Sequence, residues 1–104
     1  MLCMILVITR MNVFSEKRIE LLQTIASLSG LIRIEKGCNR CDFCQSLESE
    51  DQFILLEEWD TEEKLMAHMK SEYFKVLLGA MNLLREPYER IFHKVFHPAA
   101  LSGT

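Results

Sequence analysis

The stretch FILLEEWDTEE, residues 53–63, decides how this chain folds. Its first seven residues are apolar or aromatic apart from two glutamates, and this composition predicts a strand. Asp60 or Thr61 can then cap a helix, and the two glutamates that follow suit the first helical turn. We therefore predict a strand that passes directly into a helix, with Trp59, the only tryptophan of the chain, at the corner.

Three further elements are predicted before this stretch. Cys3–Asn12 is apolar at both parities, which is typical of a strand buried on two faces. A helix is expected over Ser15–Ser29, because apolar residues recur at helical spacing and Gly30 can end it. Cys41–Glu48 is expected to be the second strand, joined to the third by a polar turn at residues 49–52.

After the corner, a second helix is expected to break near Ser71 and to stop at Pro87, and Tyr88–Phe96 alternates enough to form a last strand. Residues 1–97 then form one domain, with residues 98–104 as a flexible C-terminal tail. The order β-α-β-β-α-β predicts an α+β, ferredoxin-like fold. This is a two-layer sandwich with both helices on one face of a four-stranded antiparallel sheet.

The first strand also carries a prediction about assembly. In a two-layer domain the second face of the sheet has no cover, yet this strand is apolar on both faces. A twofold partner is the simplest cover, because isologous dimers are the commonest oligomers. We therefore expect a homodimer in which the two sheets pack face to face.

Composition excludes several classes of protein. A formal charge of −3 and a pI near 5.6, with no long basic cluster, argue against a nucleic-acid partner. No apolar stretch approaches the roughly 20 residues that span a bilayer, so no membrane partner is expected. The apolar opening lacks a basic segment and a cleavage site, and four cysteines without a secretory signal suggest a reducing compartment. We expect a cytoplasmic protein.

Four motifs follow one another in the order of the predicted elements. EKGC (35–38) leads into the second strand, EEWDTEE (57–63) closes the third, and LMAHM (65–69) and SEYFK (71–75) follow on the broken helix. This series resembles the antibiotic biosynthesis monooxygenase (ABM) domain family of the dimeric α/β-barrel superfamily. The resemblance extends over about Cys3 to Phe96.

The resemblance implies dimeric ferredoxin-like subunits with a cavity between sheet and helices. Members of the family oxygenate quinols, anthranols or related aromatics without metal or flavin, while others degrade haem, isomerise small metabolites or have no known activity. We therefore expect a monooxygenase that acts without a cofactor on a small aromatic or quinol-like substrate. Because a shared fold does not settle the chemistry, two alternatives stay open. They are a non-catalytic dimeric binding module for a hydrophobic metabolite and a cysteine-based redox or metal sensor.

The resemblance to the haem-degrading branch of the family can be tested residue by residue. It would need an asparagine on the first strand, the tryptophan of the third, and a histidine ligand on the last helix. The asparagine position falls on about Thr9 and the ligand position on Leu78, so only the tryptophan is present. Without an axial imidazole, haem iron has no protein ligand there, and haem degradation is not expected.

Three residues are candidates for the chemistry. Oxygenation without a cofactor needs a base and a dry cavity. Glu57 shares strand parity with Trp59, so both are expected to face the cavity, and burial would raise the pKa of Glu57 toward that of a useful base. His68, at the family's A-H position, is a second proton acceptor. Structural roles stay open for all three: a core anchor for the indole, a partner of a basic residue such as Lys94 for Glu57, and a surface or interface histidine.

The expected substrate-binding set combines an apolar stripe with the two positions taken from the family. Met66, Met69 and Phe74 would line an adaptable pocket beside the indole, together with Thr9 and Leu78. The alternative is that this stripe is only core. A real cavity of a few hundred Å³ would favour the functional interpretation.

The series C-x-x-C-x-x-C at Cys38, Cys41 and Cys44 superficially suggests a metal. Residues three apart on a strand project to opposite faces, so Cys41 and Cys44 should not converge on one ion. His93 and His97 lie four apart, roughly 13 Å at strand rise, which is too far for a shared ligand. We expect no metal site, with the cysteines acting mainly as small buried hydrophobes.

Overall fold

Strands and helices follow in the order β-α-β-β-α-α-β over residues 3–96, the part of the chain that the computed structural model describes. The elements are β1 (Cys3–Asn12), α1 (Arg18–Arg33), β2 (Cys38–Gln45), β3 (Gln52–Trp59), α2 (Glu62–Met69), α3 (Glu72–Ala80) and β4 (Glu89–Phe96). Short 3₁₀ turns at Ser15–Lys17 and Met81–Leu83 precede α1 and follow α3. The predicted tail, residues 98–104, lies outside the described residues.

The four strands form one antiparallel sheet in the order β2-β3-β1-β4. The first strand therefore lies inside the sheet, paired with β3 on one side and with β4 on the other. In this register Thr9 lies opposite Arg90, and Ile5 lies opposite both Trp59 and Lys94. The predicted ferredoxin-like α+β fold is confirmed.

The inner face of the sheet carries the core. Along β1 the side chains of Ile5, Val7, Thr9 and Met11 are buried, and β3 alternates in the same way from Phe53 to Trp59. The other face of β1 is only half-buried at Met4, Leu6 and Ile8. The apolar residues on one face of β1 are thus buried within the chain, whereas those on the other face are only partly covered.

The first helix continues beyond its predicted end. Gly30 lies inside α1, which runs to Arg33, because Ile32 on the following turn packs into the core. The Arg33 guanidinium then donates hydrogen bonds from Nε and Nη2 to the Cys41 carbonyl at 3.0 and 2.6 Å, tying the helix end to β2. A glycine on an exposed helix face costs only about 1 kcal/mol, which buried apolar neighbours outweigh.

The second strand begins three residues earlier than predicted, at Cys38, and ends at Gln45. The turn before it depends on Gly37, whose φ of +89° is a conformation that L side chains rarely adopt. The Gly37 carbonyl accepts a hydrogen bond from the Asp60 N–H at 2.8 Å, which holds this turn against the end of β3. Leu47, inside the predicted strand Cys41–Glu48, follows the observed strand and is fully exposed.

The predicted break in the second helix is confirmed at Ser71, and each half has its own N-cap. The Thr61 hydroxyl accepts a hydrogen bond from the Lys64 N–H at 3.1 Å, and the Ser71 hydroxyl accepts one from the Phe74 N–H at 3.3 Å. These caps satisfy N–H groups that the first helical turn leaves unpaired. Across this break, His68 of α2 and Phe74 of α3 meet in the core.

Candidate active site

A buried carboxylate and the indole occupy neighbouring inward positions near the end of β3. Glu57 and Trp59 are both 0% exposed. The Trp59 Nε1–H donates a hydrogen bond to Glu57 Oε1 at 3.1 Å. The predicted shared parity of these two side chains is what allows this contact, because residues i and i+2 of a strand project to one face.

His68 reaches the same place from α2. Its ring stacks on the Trp59 indole with 4.6 Å between centroids and 26° between planes, and it meets the Phe74 ring edge-on at 5.5 Å. The His68 Nε2 atom lies 3.6 Å from Glu57 Oε1, and its Nδ1 atom lies 2.8 Å from Glu35 Oε2. His68 is therefore a buried histidine held between two carboxyl groups.

Arg90 on β4 is a part of the site that the sequence did not reveal. Its Nη1 donates hydrogen bonds to Thr9 Oγ1 at 2.9 Å and to Glu57 Oε2 at 3.2 Å. The guanidinium also lies over the rings of Phe74 and Phe92, at 5.1 and 5.4 Å. Among residues 3–96, its buried Nε and Nη2 atoms have no hydrogen-bond partner.

One interpretation of Glu57 was a partner of a basic residue such as Lys94; the partner is indeed basic, but it is Arg90 and not Lys94. Glu57 is level with Val7 and Phe92, and Arg90 and Lys94 lie two residues to either side of Phe92, opposite Thr9 and Ile5. Both cations are on the inward side of β4, so parity alone could not separate them. The strand register also leaves the two cations equivalent, and only the side-chain contacts of Arg90 Nη1 with Glu57 Oε2 and Thr9 Oγ1 identify Arg90 as the partner.

Burial shifts the pKa values of all three groups that could move a proton. Desolvation raises the pKa of Glu57, although Arg90 and the Trp59 hydrogen bond oppose this shift. Burial and the nearby Arg90 charge lower the pKa of His68 to about 4. The pKa of Glu35 is raised by burial and by the charge of Glu57. The two carboxyl groups therefore bind a proton more readily than usual, and the imidazole between them binds one less readily.

A cavity of about 360 Å³ opens between α2 and the β1–β4 edge of the sheet. Apolar side chains dominate its wall, and the polar contributions come from Glu62, His93 and Lys94; the apolar residues are Ile5, Leu65, Met66, Met69 and Phe92. A volume in this range suits a small organic ligand. The cavity adjoins the buried cluster, because Ile5 pairs with Trp59 and Phe92 lies against Arg90.

The predicted substrate-binding residues separate into three groups. Met66 and Met69 line the cavity. Thr9 and Phe74 instead contact Arg90 in the buried cluster. Leu78 lies on α3 with 41% of its surface exposed, and it is not part of the cavity wall.

The three cysteines of the C-x-x-C-x-x-C series are arranged as two inward residues and one outward residue. A β-bulge between Cys38 and Arg40 changes the register, so that Cys38 lies opposite Trp59 and Cys41 lies opposite Glu57. Burial raises the pKa of Cys38 to about 11 and that of Cys41 to about 12. Cys44 lies opposite Ile54 on the outer side and is exposed.

Within residues 3–96, no group of three or more His, Cys, Asp or Glu side chains is placed to hold a metal ion. His97, one of the two histidines weighed as a pair, lies outside the described residues. A raised thiol pKa leaves little thiolate at neutral pH, which weakens the case for a reactive cysteine sensor.

The site geometry can now be compared with known proteins. The sequence model of a family described as antibiotic biosynthesis monooxygenase matches residues 4–78. The chain belongs to this ABM family. The match includes Glu35, Glu57, Trp59 and His68, whereas Arg90 lies beyond it. No protein of curated function matches the ABM chain significantly.

Solved structures agree with the fold of this ABM chain. A conserved protein from Methanosarcina mazei Go1 is 30% identical, with a TM-score of 0.82 over 89% of this chain and 92% of that one. A protein from Bacteroides thetaiotaomicron, of unknown function and named as a possible oxidoreductase, is 25% identical, with a TM-score of 0.77 over 91% and 98% of the two chains. A protein from Nitrosomonas europaea, named as a candidate antibiotic biosynthesis monooxygenase, is 21% identical, with a TM-score of 0.84 over 91% and 92%. Within residues 3–96, no helix is long and apolar enough to cross a membrane.

Proposed function

We propose that this ABM protein is a monooxygenase that oxidises a small aromatic or quinol-like substrate with molecular oxygen and without a prosthetic group. The observation that carries the proposal is the buried Glu57 carboxyl group, held by Trp59 and Arg90 beside an apolar cavity of about 360 Å³. Its raised pKa gives it the character of a general base. Membership of the ABM family supports the same class of reaction.

The chemistry assigns a separate task to each residue. Glu57 accepts a proton from an acidic C–H or O–H of the substrate and leaves an electron-rich anion. Arg90, whose Nε and Nη2 are unpaired among the described residues, stabilises the developing negative charge. Trp59 fixes one oxygen of the carboxyl group and so orients the base.

The overall step balances for a substrate that carries a reactive CH₂ group. The carbon loses two hydrogens and gains a C=O bond, while one oxygen atom of O₂ enters the product and the other leaves as water with both hydrogens. The substrate supplies all four electrons, so no separate reductant is needed. The protein supplies a base, a positive charge and an apolar cavity that excludes water.

We infer that side-chain movement gives a substrate access to the base. Trp59, Glu57 and His68 are buried behind the cavity wall, and Phe92 lies between the cavity and the Arg90 guanidinium. Phe92 is 46% exposed and lies on the edge strand β4. Rotation of this side chain would connect the cavity to the buried cluster.

Oxygen consumption with a panel of reduced naphthoquinones and anthrones tests the proposal. We expect at least one compound to be oxidised, with a fall in kcat of roughly 10²-fold or more in Glu57→Gln. Glu58→Gln is the matched control, because Glu58 neighbours the base on the outer face of the sheet. Equal rates in the two variants would exclude Glu57 as the base.

A binding module is the second candidate, and the closed arrangement of the cluster favours it. The fully buried indole and carboxyl group are shielded from the cavity, as in a site that holds a ligand without reacting with it. Quenching of Trp59 fluorescence by a naphthoquinone, with no oxygen uptake by its reduced form, would support this function. Turnover by the same preparation would exclude it.

We propose that the protein forms a homodimer through the outer face of its sheet. Met4, Leu6 and Ile8 on β1 share this half-buried face with Ile54 and Leu56 on β3. A second copy would cover this face, which is also the arrangement that the ABM resemblance implies. Light scattering at micromolar concentration should give twice the chain mass; a monomeric mass would overturn the proposal. The cytoplasmic location stays a prediction.

A further inference from the structure

We propose that Glu35, His68 and Glu57 form a proton relay that connects the buried base with the protein surface. The inference rests on the proposed role of Glu57 and adds Glu35 as a positioning and proton-transfer residue. It begins from a simple contrast in exposure. The His68 and Glu57 side chains are fully buried, whereas the Glu35 side chain is 18% exposed and can exchange protons with water.

The contacts form one continuous line. Glu35 Oε2 lies 2.8 Å from His68 Nδ1, and His68 Nε2 lies 3.6 Å from Glu57 Oε1. The two nitrogens are on opposite sides of the imidazole, so the ring bridges the two carboxyl groups. The first contact is a hydrogen bond, and the second needs to shorten by about half an ångström to become one. His68 Nε2 is otherwise unpaired among the described residues.

The ring is held in the orientation that this line requires. Trp59 stacks on one face of His68, and Phe74 meets it edge-on. These aromatic contacts restrict rotation of the imidazole, so its two nitrogens keep their separate partners. A histidine that served only as core packing would not need a carboxyl group at each nitrogen.

Glu35 is brought to α2 by the turn that follows it. The Cys38 N–H donates to the Glu35 carbonyl at 3.1 Å, and the Asp60 N–H donates to the Gly37 carbonyl at 2.8 Å. A Cβ added to Gly37 would lie 2.5 Å from Lys64 Cβ, which shows how closely the turn approaches α2. The EKGC segment therefore places its glutamate beside His68.

The proposed transfer has a defined start and end. When Glu57 has taken a proton from the substrate, its O–H bond breaks and an N–H bond forms at His68 Nε2. At the same time the Nδ1–H bond breaks and an O–H bond forms on Glu35, which then exchanges with water. Glu57 returns to its anionic form, and the negative charge on Glu35 is neutralised.

The same line can carry a proton back when the second oxygen atom leaves as water. The reverse transfer restores the starting tautomer of His68 without a ring flip. No net proton is released over the complete reaction, because both substrate hydrogens end in water. The restricted rotation of the ring is therefore compatible with repeated turnover.

The electrostatic surroundings support transfer in both directions. Burial raises the pKa values of Glu35 and Glu57 and lowers that of His68 to about 4, so either carboxyl group can hold the proton while the imidazole between them stays neutral. Arg90 on β4 acts on both Glu57 and His68, and the thiols of Cys38 and Cys41 on β2 lie near the carboxyl groups, with Arg33 on α1 acting on those thiols. Burial raises the pKa of both thiols, so they stay protonated at neutral pH and do not compete for the proton.

Trp59 makes the relay measurable without any substrate. It is the only tryptophan and is hydrogen-bonded to Glu57, so its fluorescence reports the protonation state of that carboxyl group. A laser-triggered photoacid can lower the solvent pH rapidly while this fluorescence is followed. Glu57→Gln should abolish the signal, which assigns it to the intended group.

In this experiment we expect Glu35→Gln to slow the fluorescence change at least tenfold relative to the wild type. Glu58→Gln should relax at the wild-type rate, and Glu35→Asp, which keeps a carboxyl group, should recover part of the lost rate. Wild-type relaxation in Glu35→Gln, or no signal from Glu57 at any pH between 4 and 9, would overturn the relay. A purely structural pairing of Glu35 with His68 would lower stability in Glu35→Gln without slowing the relaxation.

The outcome is separable from that of the proposed function. Failure of every compound in the oxygen-uptake panel would leave the fluorescence relaxation unaffected. Conversely, oxygen uptake that persists in a variant with slow relaxation would support Glu57 as base and exclude a rate-limiting relay. Near-ultraviolet circular dichroism of each variant checks that Trp59 keeps its packed environment.

Discussion

The Trp59 indole nitrogen donates a hydrogen bond to the Glu57 carboxyl group across 3.1 Å, although both residues belong to one strand and each side chain is fully buried. This contact fixes one oxygen of the carboxyl group and leaves the other to Arg90. The indole is thus both a core residue and the orienting partner of the proposed base. The two interpretations of Trp59 that the sequence left open describe one side chain with two tasks.

Replacing this tryptophan should therefore affect stability and the carboxyl group together. Trp59→Phe removes a buried donor and part of a large side chain, and we expect it to lower the free energy of unfolding by about 2–4 kcal/mol. Loss of the hydrogen bond should also raise the pKa of Glu57 further. Urea denaturation followed by far-ultraviolet circular dichroism measures the first effect. Tyr88→Phe, at an exposed aromatic residue, should change stability by less than about 0.5 kcal/mol.

The lowered pKa of His68 predicts a specific dependence of stability on acid. Its pKa falls from 6.5 to about 4 on folding, so the unfolded chain binds more protons between these values. The contribution of His68 to the free energy of unfolding is therefore complete above pH 6.5. It is lost as the pH falls to 4, which lowers the free energy of unfolding by up to about 3 kcal/mol. His68→Phe should flatten this part of the profile in denaturation experiments, and an unchanged slope would contradict the prediction.

The raised pKa of a buried carboxyl group changes stability with pH in the opposite direction to the lowered pKa of His68. Because the pKa of Glu57 is raised on folding, the folded chain binds more protons than the unfolded chain above the ordinary value of 4.5. The stabilisation that comes from this tighter proton binding is fully present at pH values below 4.5. It is lost as the pH rises through the raised pKa of Glu57. Glu57→Gln should therefore gain stability relative to the wild type as the pH increases from 4.5 toward 8. If the difference between the two proteins does not change with pH, the carboxyl group is not perturbed.

Two glycines provide a matched pair of substitutions. Gly37→Ala places a Cβ 2.5 Å from Lys64 Cβ at a φ of +89°, so we expect a loss of about 2–3 kcal/mol and a displaced Glu35. Gly79→Ala meets nothing within 4 Å and should gain about 0.5–1 kcal/mol, because it lies in α3. Thermal unfolding of the two proteins should move in opposite directions. A stable Gly37→Ala variant would show that the turn can relax.

The helix caps predict smaller and separate effects. Thr61→Ala and Ser71→Ala each remove a side-chain acceptor from the first turn of a helix and should cost about 1 kcal/mol. Ser27→Ala, on the exposed side of α1, should be neutral or slightly stabilising. The three midpoints in urea are directly comparable. Equal midpoints for all three variants would show that the caps contribute little.

A charged substitution on the outer face of the sheet should separate the proposed dimer into monomers. Leu6→Glu places a charge among Met4, Ile8 and Leu56 and should give a folded monomer by sedimentation velocity. Arg10→Gln, on the same face near the end of β1, is the control and should stay dimeric. A dimer that survives Leu6→Glu would place the contact elsewhere.

Local patterns were sufficient for most of the fold. The first strand, the corner after Trp59 and the helix break at Ser71 depend on alternation, capping and polarity within a few residues, and these were predicted correctly. The end of α1 was missed because Ile32 packs into the core beyond Gly30. The start of β2 was missed because a bulge and the positive φ of Gly37 set its register.

The sequence by itself therefore determined the ferredoxin-like order of elements, the family, and the shared inward parity of Glu57 and Trp59, whereas a surface position for His68 stayed open. Strand parity and helix capping depend on residues that are close together in the sequence, so they can be predicted from the sequence alone. Only the tertiary structure decided which distant groups meet these residues. Arg90 is 33 positions from Glu57, and Glu35 is 33 positions from His68. Their contacts depend on strand register and on the turn at Gly37, which no short-range pattern encodes.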